Sequence, residues 1–385
     1  MVRFPALIDS AIWQCRPILL QYHYDRAGKP SKQKWNQTST AQVYHDGRCY
    51  LTLSGNMKKL VPVLMAVAAL LTLTITACRD SQVEGDVRWH DRTAGYHRSA
   101  SAGPYQLHYL DIGQGEPVLM IHGWADSAYT WHKNLPKLTQ PGFRLVLIDL
   151  PGMGQSTIPP QPYSYTVENM SRAVLHLADH LHLQRFTIAG HSMGGSIALY
   201  VCLYHPRRVN RAVTIAPACY PPSHRTGRFL LNIPGVKPLA GALAGRWTVA
   251  FALKETFYNE DLVTAEMVSE YARPFSKPAY ADAVTSLALD FFSPAHTQMM
   301  QSYNRLETPL LIIWGANDKW LPPAMGRRLH GQVSGSRLII IPQAGHNVHQ
   351  EAHTRVNRHI IQFLALTAKE SGAGIISDSP IPRWP

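Results

Sequence analysis

The sequence predicts an α/β fold: a doubly wound, mostly parallel sheet with a helical insertion ahead of its last strands. Three observations carry this expectation. Short apolar runs end on glycine, as in "PVLMIHG" (117–123) and "PLLIIWG" (309–315). Stripes of helical spacing stand between such runs, and the alternation breaks once, over residues 219–300, where prolines and aromatics crowd. Runs that are apolar on both faces are what a parallel sheet covered by helices on both sides requires. Strands alternating with helices imply right-handed crossovers.

The elements follow in order. "YQLHYLDIG" (105–113) alternates as a half-wet strand. "PVLMIHG" and "LVLIDLPG" (145–152) read as buried strands. Residues 166–183 place Met170, Val174, Leu177 and Leu181 on one helical stripe. Strand "FTIAG" (186–190), a helix running to Tyr204 and strand "AVTIAPA" (212–218) continue the pattern. Residues 219–300 read as a helical lid. Its Phe229, Leu230, Leu231, Ile233, Trp247, Phe251, Phe257 and Tyr258 either pack the lid onto the core or face an apolar substrate. "PLLIIWG", "RLIIIP" (337–342) and a helix over 348–367 close the domain, which thus spans 104–367. Residues 78–103 read as a polar tether and 368–385 as a disordered tail.

The N-terminal quarter has a different character. Lys58 and Lys59 precede an apolar run from Leu60 to Ala77, a basic start and apolar stretch laid out as in a secretory signal peptide. Ile75-Thr76-Ala77-Cys78 resembles the bacterial lipobox, which implies lipidation of Cys78 after removal of residues 57–77. Arg79, where an aspartate often marks inner-membrane retention, tilts that expectation toward the outer membrane, with the protein facing the periplasm. The run is also long enough to span a bilayer, so a signal-anchored membrane protein is the competing reading. Residues 1–56 show no sustained period and read as a start-site miscall or a disordered extension.

Charge and cysteine usage narrow the partners. The chain carries 37 basic and 25 acidic residues, a net +12. Residues 1–77 hold nine basic and three acidic ones, so only half of that excess, +6, belongs to the rest. It is scattered, with no basic block, and nucleic acid is not an expected partner. Cys202 and Cys219 do not make a disulfide framework, and no metal-binding spacing appears. His349 and His353, spaced i, i+4, are expected to line a helix face, and His176, His180 and His182 a solvated one. No metal or cofactor is expected.

Chemistry concentrates at "IAGHSMGGSIAL", where Gly190-His191-Ser192-Met193-Gly194 joins a strand to a helix. This is a G-x-S-x-G nucleophile elbow, whose glycines allow a turn too sharp for flanking Cβ atoms. The chain here resembles the α/β-hydrolase superfamily, in its lid-bearing esterase and lipase-like branch. That resemblance implies an acid after a late strand, supplied by Asp318 in "WGANDKWLPP", and a histidine after the last strand, His346 in "PQAGHNVHQE". Ser192 would attack an acyl carbonyl, His346 would shuttle its proton and Asp318 would orient the imidazole. The oxyanion hole would be built from the backbone N–H groups of Met193 and Trp124. "DLPGMGQS" (149–156) resembles the superfamily's glycine turn and reads as structural.

The expected activity is hydrolysis of small or medium apolar carboxylic esters through an acyl-enzyme. A serine at 192 argues against haloalkane dehalogenases and epoxide hydrolases, whose elbow carries aspartate. Carbon–carbon bond hydrolases and haloperoxidase-like enzymes share the serine, although Asn347 stands where the former usually place tryptophan. A non-catalytic binding lipoprotein is the reading from another class, and it would ordinarily lack one member of the triad.

Overall fold

The apolar runs assemble into one eight-stranded sheet. The computed structural model describes residues 41–43, 49–51, 89–139, 142–221, 245–277 and 279–370. The chain divides into two compact units, residues 1–82 and 83–385. In the first, Ala41–Val43 pairs antiparallel with Cys49–Leu51. In the second, the strands are β1 (His97–Ala102), β2 (Tyr105–Gly113), β3 (Gly115–Ile121), β4 (Gly142–Ile148), β5 (Phe186–His191), β6 (Val209–Ile215), β7 (Leu310–Gly315) and β8 (Arg337–Ile341). Their spatial order is β8-β7-β6-β5-β3-β4-β2-β1. The block from β4 to β8 is parallel, while β1 and β2 join it antiparallel.

Why the runs look continuous is visible in the core. Successive strand residues point to opposite faces. Leu119 and Ile121 therefore enter one cluster and Val118 and Met120 the other. In β7, Leu310, Ile312 and Trp314 face one side, Leu311 and Ile313 the other. One face is covered by Met170, Val174 and Leu177 of a helix over Val167–His180, and by Ile197 and Val201 of a helix over Met193–Tyr204. The opposite face is covered by Val356, Ile360 and Phe363 of the helix His353–Glu370. The expected stripe at 166–183 is present, except that Leu181 sits just past its end as the C-cap.

The strand order turns at β3, flanked by β4 on one side and β5 on the other. The crevice outside the carboxyl ends of strands at such a switch is where open α/β sheets bind ligands. Trp124 follows β3 and Ser192 follows β5, so both open there.

Several boundaries differ from the expectation. Residues 149–152 form a turn rather than the end of β4, because Asp149 is a bracket. Its carboxylate accepts the backbone N–H groups of Ala128 (2.7 Å) and Gln155 (2.8 Å). β6 begins and ends three residues early, at Val209 and Ile215. The last helix is broken at Ala352 into Val348–Glu351 and His353–Glu370.

The tether is the main correction. Residues 89–102 form helix α1 (Trp89–Thr93), a short 3-10 turn and strand β1, which pairs with β2 along its full length from His97 opposite Leu110 to Ala102 opposite Tyr105. The strand "HRSASA" buries only two alanines, so its apolar face is too small to register as periodicity. Of the insertion expected to act as a lid, called the lid below, four helices are described: α2 (Arg246–Thr256), α3 (Ala265–Ala272), α4 (Tyr280–Asp290) and α5 (Pro294–Gln301). Phe229, Leu230, Leu231 and Ile233 lie outside the described residues, as do residues 57–77, Cys78 and residues 371–385. Among the described residues no helix is long and apolar enough to cross a membrane. Cys202 and Cys219 are buried and free.

Trp89 is buried against Tyr129, edge to face at 5.5 Å. A chain beginning at residue 104 is therefore expected to melt about 5 °C or more below one beginning at residue 83. Burying a side chain of that size contributes about 1.5–3 kcal/mol, and each kcal/mol moves the midpoint by about 2–4 °C in a domain of this size. Equal midpoints in a thermal scan would return residues 89–103 to the status of a tether.

Candidate active site

β5 ends at His191 and the next helix begins at Met193, so Ser192 alone turns the chain. Its φ of 52° and ψ of −115° lie where side chains rarely go, a strain of about 1–3 kcal/mol. Neighbouring strands hold it there. Ser192 N–H donates to the Ile215 carbonyl at 2.8 Å, and Ala218 N–H donates to the Ser192 carbonyl at 2.9 Å. A Cβ on Gly190 would strike the Gly194 carbonyl, and one on Gly194 the carbonyls of Ile121 and His122. The motif's glycines are there for clearance.

The three residues that the sequence singles out come together. Ser192 Oγ–H donates to His346 Nε2 at 2.9 Å, and His346 Nδ1–H donates to Asp318 Oδ2 at 2.8 Å. An ionised carboxylate only accepts, which assigns the proton to Nδ1 and leaves Nε2 free to accept. Asp318 Oδ1 takes the backbone N–H groups of Trp320 (2.9 Å) and Leu321 (2.8 Å), which fixes the carboxylate plane. Asp318 and His346 are buried, whereas Ser192 is half-buried at the cavity wall.

Of the two expected oxyanion donors, Met193 opens its helix, where the first N–H groups have no intrahelical acceptor. Trp124 follows His122-Gly123 at the end of β3. His122 is wholly buried; its Nδ1–H donates to the Gly123 carbonyl (2.7 Å) and its Nε2 accepts the Leu150 N–H (3.0 Å). That pair of bonds requires the neutral ring, and burial pushes its pKa down accordingly. Trp124 itself is anchored to the lid through its indole N–H, which donates to the Val284 carbonyl at 3.0 Å.

Gly123, Trp124, His191, Ser192 and His346 all line one cavity of about 470 Å³, with Asp318 behind His346. The remaining wall comes mainly from the lid: Val249, Ala252 and Leu253 of α2, Phe275, and Val284 of α4. Phe257 is buried, whereas Trp247, Phe251 and Tyr258 are exposed rather than packed inward.

Asn347, noted in the sequence only as a departure from tryptophan, grips the end of α2: its backbone N–H donates to the Thr256 carbonyl and its side-chain N–H to Thr256 Oγ1, both at 3.0 Å. Two further residues that shape the site were not singled out in the sequence. Glu351 accepts the N–H of Gly345 (2.7 Å) and those of Tyr258 (3.1 Å) and Asn259 (2.7 Å) in the lid. Asp126 is a buried carboxyl facing the cavity; burial pushes its pKa up to about 7, outweighing the N–H of Ser127 and the hydroxyls of Thr130 and Tyr271.

His349 lies in a helix, Val348–Glu351, as expected, but on a face that is wholly buried, its ring 4.2 Å from that of His191 and its Nε2 2.8 Å from Thr130 Oγ1. His191 packs 4.9 Å from His346, and its Nε2–H donates to the His346 carbonyl at 3.1 Å. Burial, with neighbouring histidines adding to it, drives the pKa of both His191 and His349 well below the usual imidazole range. The i, i+4 spacing with His353 implied one shared helix face, but the break at Ala352, invisible in the sequence, puts the two in separate helices.

Known proteins agree with this geometry. A profile of the alpha/beta hydrolase fold matches residues 116–352. An uncharacterised hydrolase of Bacillus subtilis, YugF, is 28% identical over 261 residues, covering 68% of this chain and 93% of its own. A 2-hydroxy-6-oxononadienedioate/2-hydroxy-6-oxononatrienedioate hydrolase of Cupriavidus pinatubonensis is 29% identical over 269 residues, covering 68% and 91%. The meta-cleavage product hydrolase CumD of Pseudomonas fluorescens superposes with a TM-score of 0.60 at 23% identity, over 71% of this chain and 98% of its own. With a match that takes in well over half of its length, the chain belongs to the alpha/beta hydrolase family.

Proposed function

We propose that this protein is a serine hydrolase that cleaves small or medium apolar carboxylic esters, held at a bacterial membrane by lipid on Cys78. In this reading Ser192 Oγ attacks the ester carbonyl as His346 Nε2 takes its proton. The oxyanion settles between the N–H groups of Met193 and Trp124, each worth about 2.7–4 kcal/mol of transition-state stabilisation. His346 then protonates the leaving alcohol and activates the water that releases the acid, while Asp318 keeps the imidazole tautomer and offsets its positive charge.

The observation that carries the reading is the Ser192–His346–Asp318 row opening into an apolar cavity with no Lys or Arg among its described lining residues. The same fact supports esters over the second reading, carbon–carbon cleavage, which the name of the Cupriavidus relative raises. That name denotes a dicarboxylate substrate. Carboxylates buried here would meet no cation and would face Asp126, a large desolvation cost without compensation.

Ser192→Ala is expected to lower kcat on a p-nitrophenyl butyrate-type ester by a factor on the order of a million with the thermal midpoint retained, and to end labelling by a fluorophosphonate. Hydrolysis within tenfold of wild type would remove Ser192 from the mechanism. Wild type is also expected to hydrolyse neutral esters at least about a hundredfold faster, in kcat/KM, than the corresponding half-esters of dicarboxylic acids. A hundredfold corresponds to about 2.7 kcal/mol, within the range for an uncompensated buried polar group. A reversed preference in that comparison would favour the carbon–carbon reading.

The membrane attachment is supported by the lipobox resemblance alone. Mass spectrometry of detergent-extracted protein is expected to find an acylated N-terminal Cys78, and Cys78→Ser to accumulate as unmodified precursor. A mature protein that still contains residues 60–77 would mean a signal anchor instead.

A further inference from the structure

Asp126 is a buried carboxyl without a counter-charge. It follows Trp124 and Ala125 in the loop after β3, is 6% exposed, and lines the same cavity as Ser192. Its hydrogen bonds are made: Oδ1 accepts the Ser127 N–H at 2.7 Å, and the hydroxyls of Thr130 and Tyr271 reach it. What it lacks is a cation. Among the described residues it enters no salt bridge. The titratable groups that sense it are Tyr129 after β3, Tyr271 on α3, Tyr280 on α4 and Asp149 after β4, none of them basic.

A buried carboxyl whose hydrogen bonds are satisfied gains little from another neutral donor. It gains most from a positive charge, since an unpaired buried charge is costly and pairing offsets part of that cost. The rest of the wall suits the same group. Trp124, Tyr271 and Phe275 bring aromatic side chains to the cavity, and aromatic rings attract a weakly hydrated cation while sheltering its alkyl groups.

We infer that the Asp126 corner is a subsite for a cationic ammonium group carried by an otherwise apolar ester. The inference deepens the esterase reading and rests on it for the reaction, but not for binding. The cation replaces no existing bond: the ammonium lies beside the carboxylate, and ester cleavage at Ser192 proceeds unchanged. Because burial holds Asp126 near pH 7, the subsite is charged above that pH and neutral below it. The sign follows: preference for a cationic ester rises with pH through about 7 and fades as the pH falls.

The test uses the full chain in detergent and two pairs of esters matched in shape. Butyrylcholine is compared with 3,3-dimethylbutyl butyrate, which places the charge on the alcohol. Methyl 4-(trimethylammonio)butanoate is compared with methyl 5,5-dimethylhexanoate, which places it on the acyl chain. Wild type is expected to prefer the charged member of at least one pair by about tenfold or more in kcat/KM at pH 8, the effect of pairing the ionised Asp126 carboxylate with a cation. The ratio is expected to approach one at pH 5.5, and to stay near one at both pH values in Asp126→Asn. A merely structural role for Asp126 would lower both members of a pair together and leave the ratio intact.

Binding to the Ser192→Ala variant by calorimetry separates this inference from the esterase reading. Butyrylcholine or the ammonio ester is expected to bind it at least about tenfold more tightly than it binds Ser192→Ala with Asp126→Asn. Binding without turnover of any of the four esters in wild type would keep the subsite and discard the esterase. Neutral esters cleaved with no charge preference in either pair, or equal binding by the two variants, would discard the subsite and keep the esterase.

Discussion

One strained residue sets the terms for the rest of the domain. Ser192 must hold a positive φ at the point where β5 becomes a helix, and nothing in a serine favours that conformation. The fold holds it by packing backbone against backbone. β6 supplies the carbonyl that ties the Ser192 N–H, and Gly190 and Gly194 let the turn close onto itself and onto the end of β3. Even Gly123 belongs to this set, since a Cβ there would crowd Ser192 Cβ at 3.3 Å. The parallel sheet is thus more than a scaffold. Its register at β3, β5 and β6 holds the strained turn in place.

Behind the turn lies a layer of polar groups that burial keeps uncharged. Thr130 Oγ1 accepts from Gln350 Nε2 at 3.0 Å and lies 2.8 Å from His349 Nε2. Burial keeps His349 neutral, and it does the same for His191, whose Nε2–H is used on the His346 carbonyl. This bears on the chemistry because a charged His191, its ring 4.9 Å from that of His346, would oppose the imidazolium that general-base catalysis must form. With His191 and His349 held neutral, Asp318 is the charge that His346 feels most closely. The arrangement stabilises a transient cation by removing its rivals as well as by supplying its partner.

The sequence made some of this legible and concealed the rest for identifiable reasons. β3 and β7 could be read because both faces are buried over residues 118–121 and 310–314, where every residue is apolar. Ser192, Asp318 and His346 could be read because each stands in a local pattern of glycine, strand and turn. β1 could not, since an edge strand facing the core with Ala100 and Ala102 leaves no apolar period. His349 misled because its spacing to His353 presumes an unbroken helix. Asp126 carried no signal at all: in "HGWADSAY" it looks like any loop aspartate. Only the fold shows that the loop turns it inward, away from water, with no salt bridge to it among the described residues.

The lid is tied to the chemistry through the His346 loop. Gly345 is a glycine because the backbone of Thr256 to Tyr258 passes so close that a Cβ would meet it at 2.5–2.9 Å. Asn347 and Glu351 then fasten that same lid segment from either side of the loop. α2 thus does two things at once: its inner face shapes the cavity through Val249, Ala252 and Leu253, and its C-terminal end holds the strand of chain on which His346 sits. Asn347 has a role here that a tryptophan at the same position could not fill, because the bond to Thr256 needs a short side chain with an amide N–H. Substrate fit and imidazole placement are therefore set by one helix. A change that reshapes the cavity from α2 acts on the proton shuttle as well as on binding, and the departure at position 347 is the contact through which the two are joined.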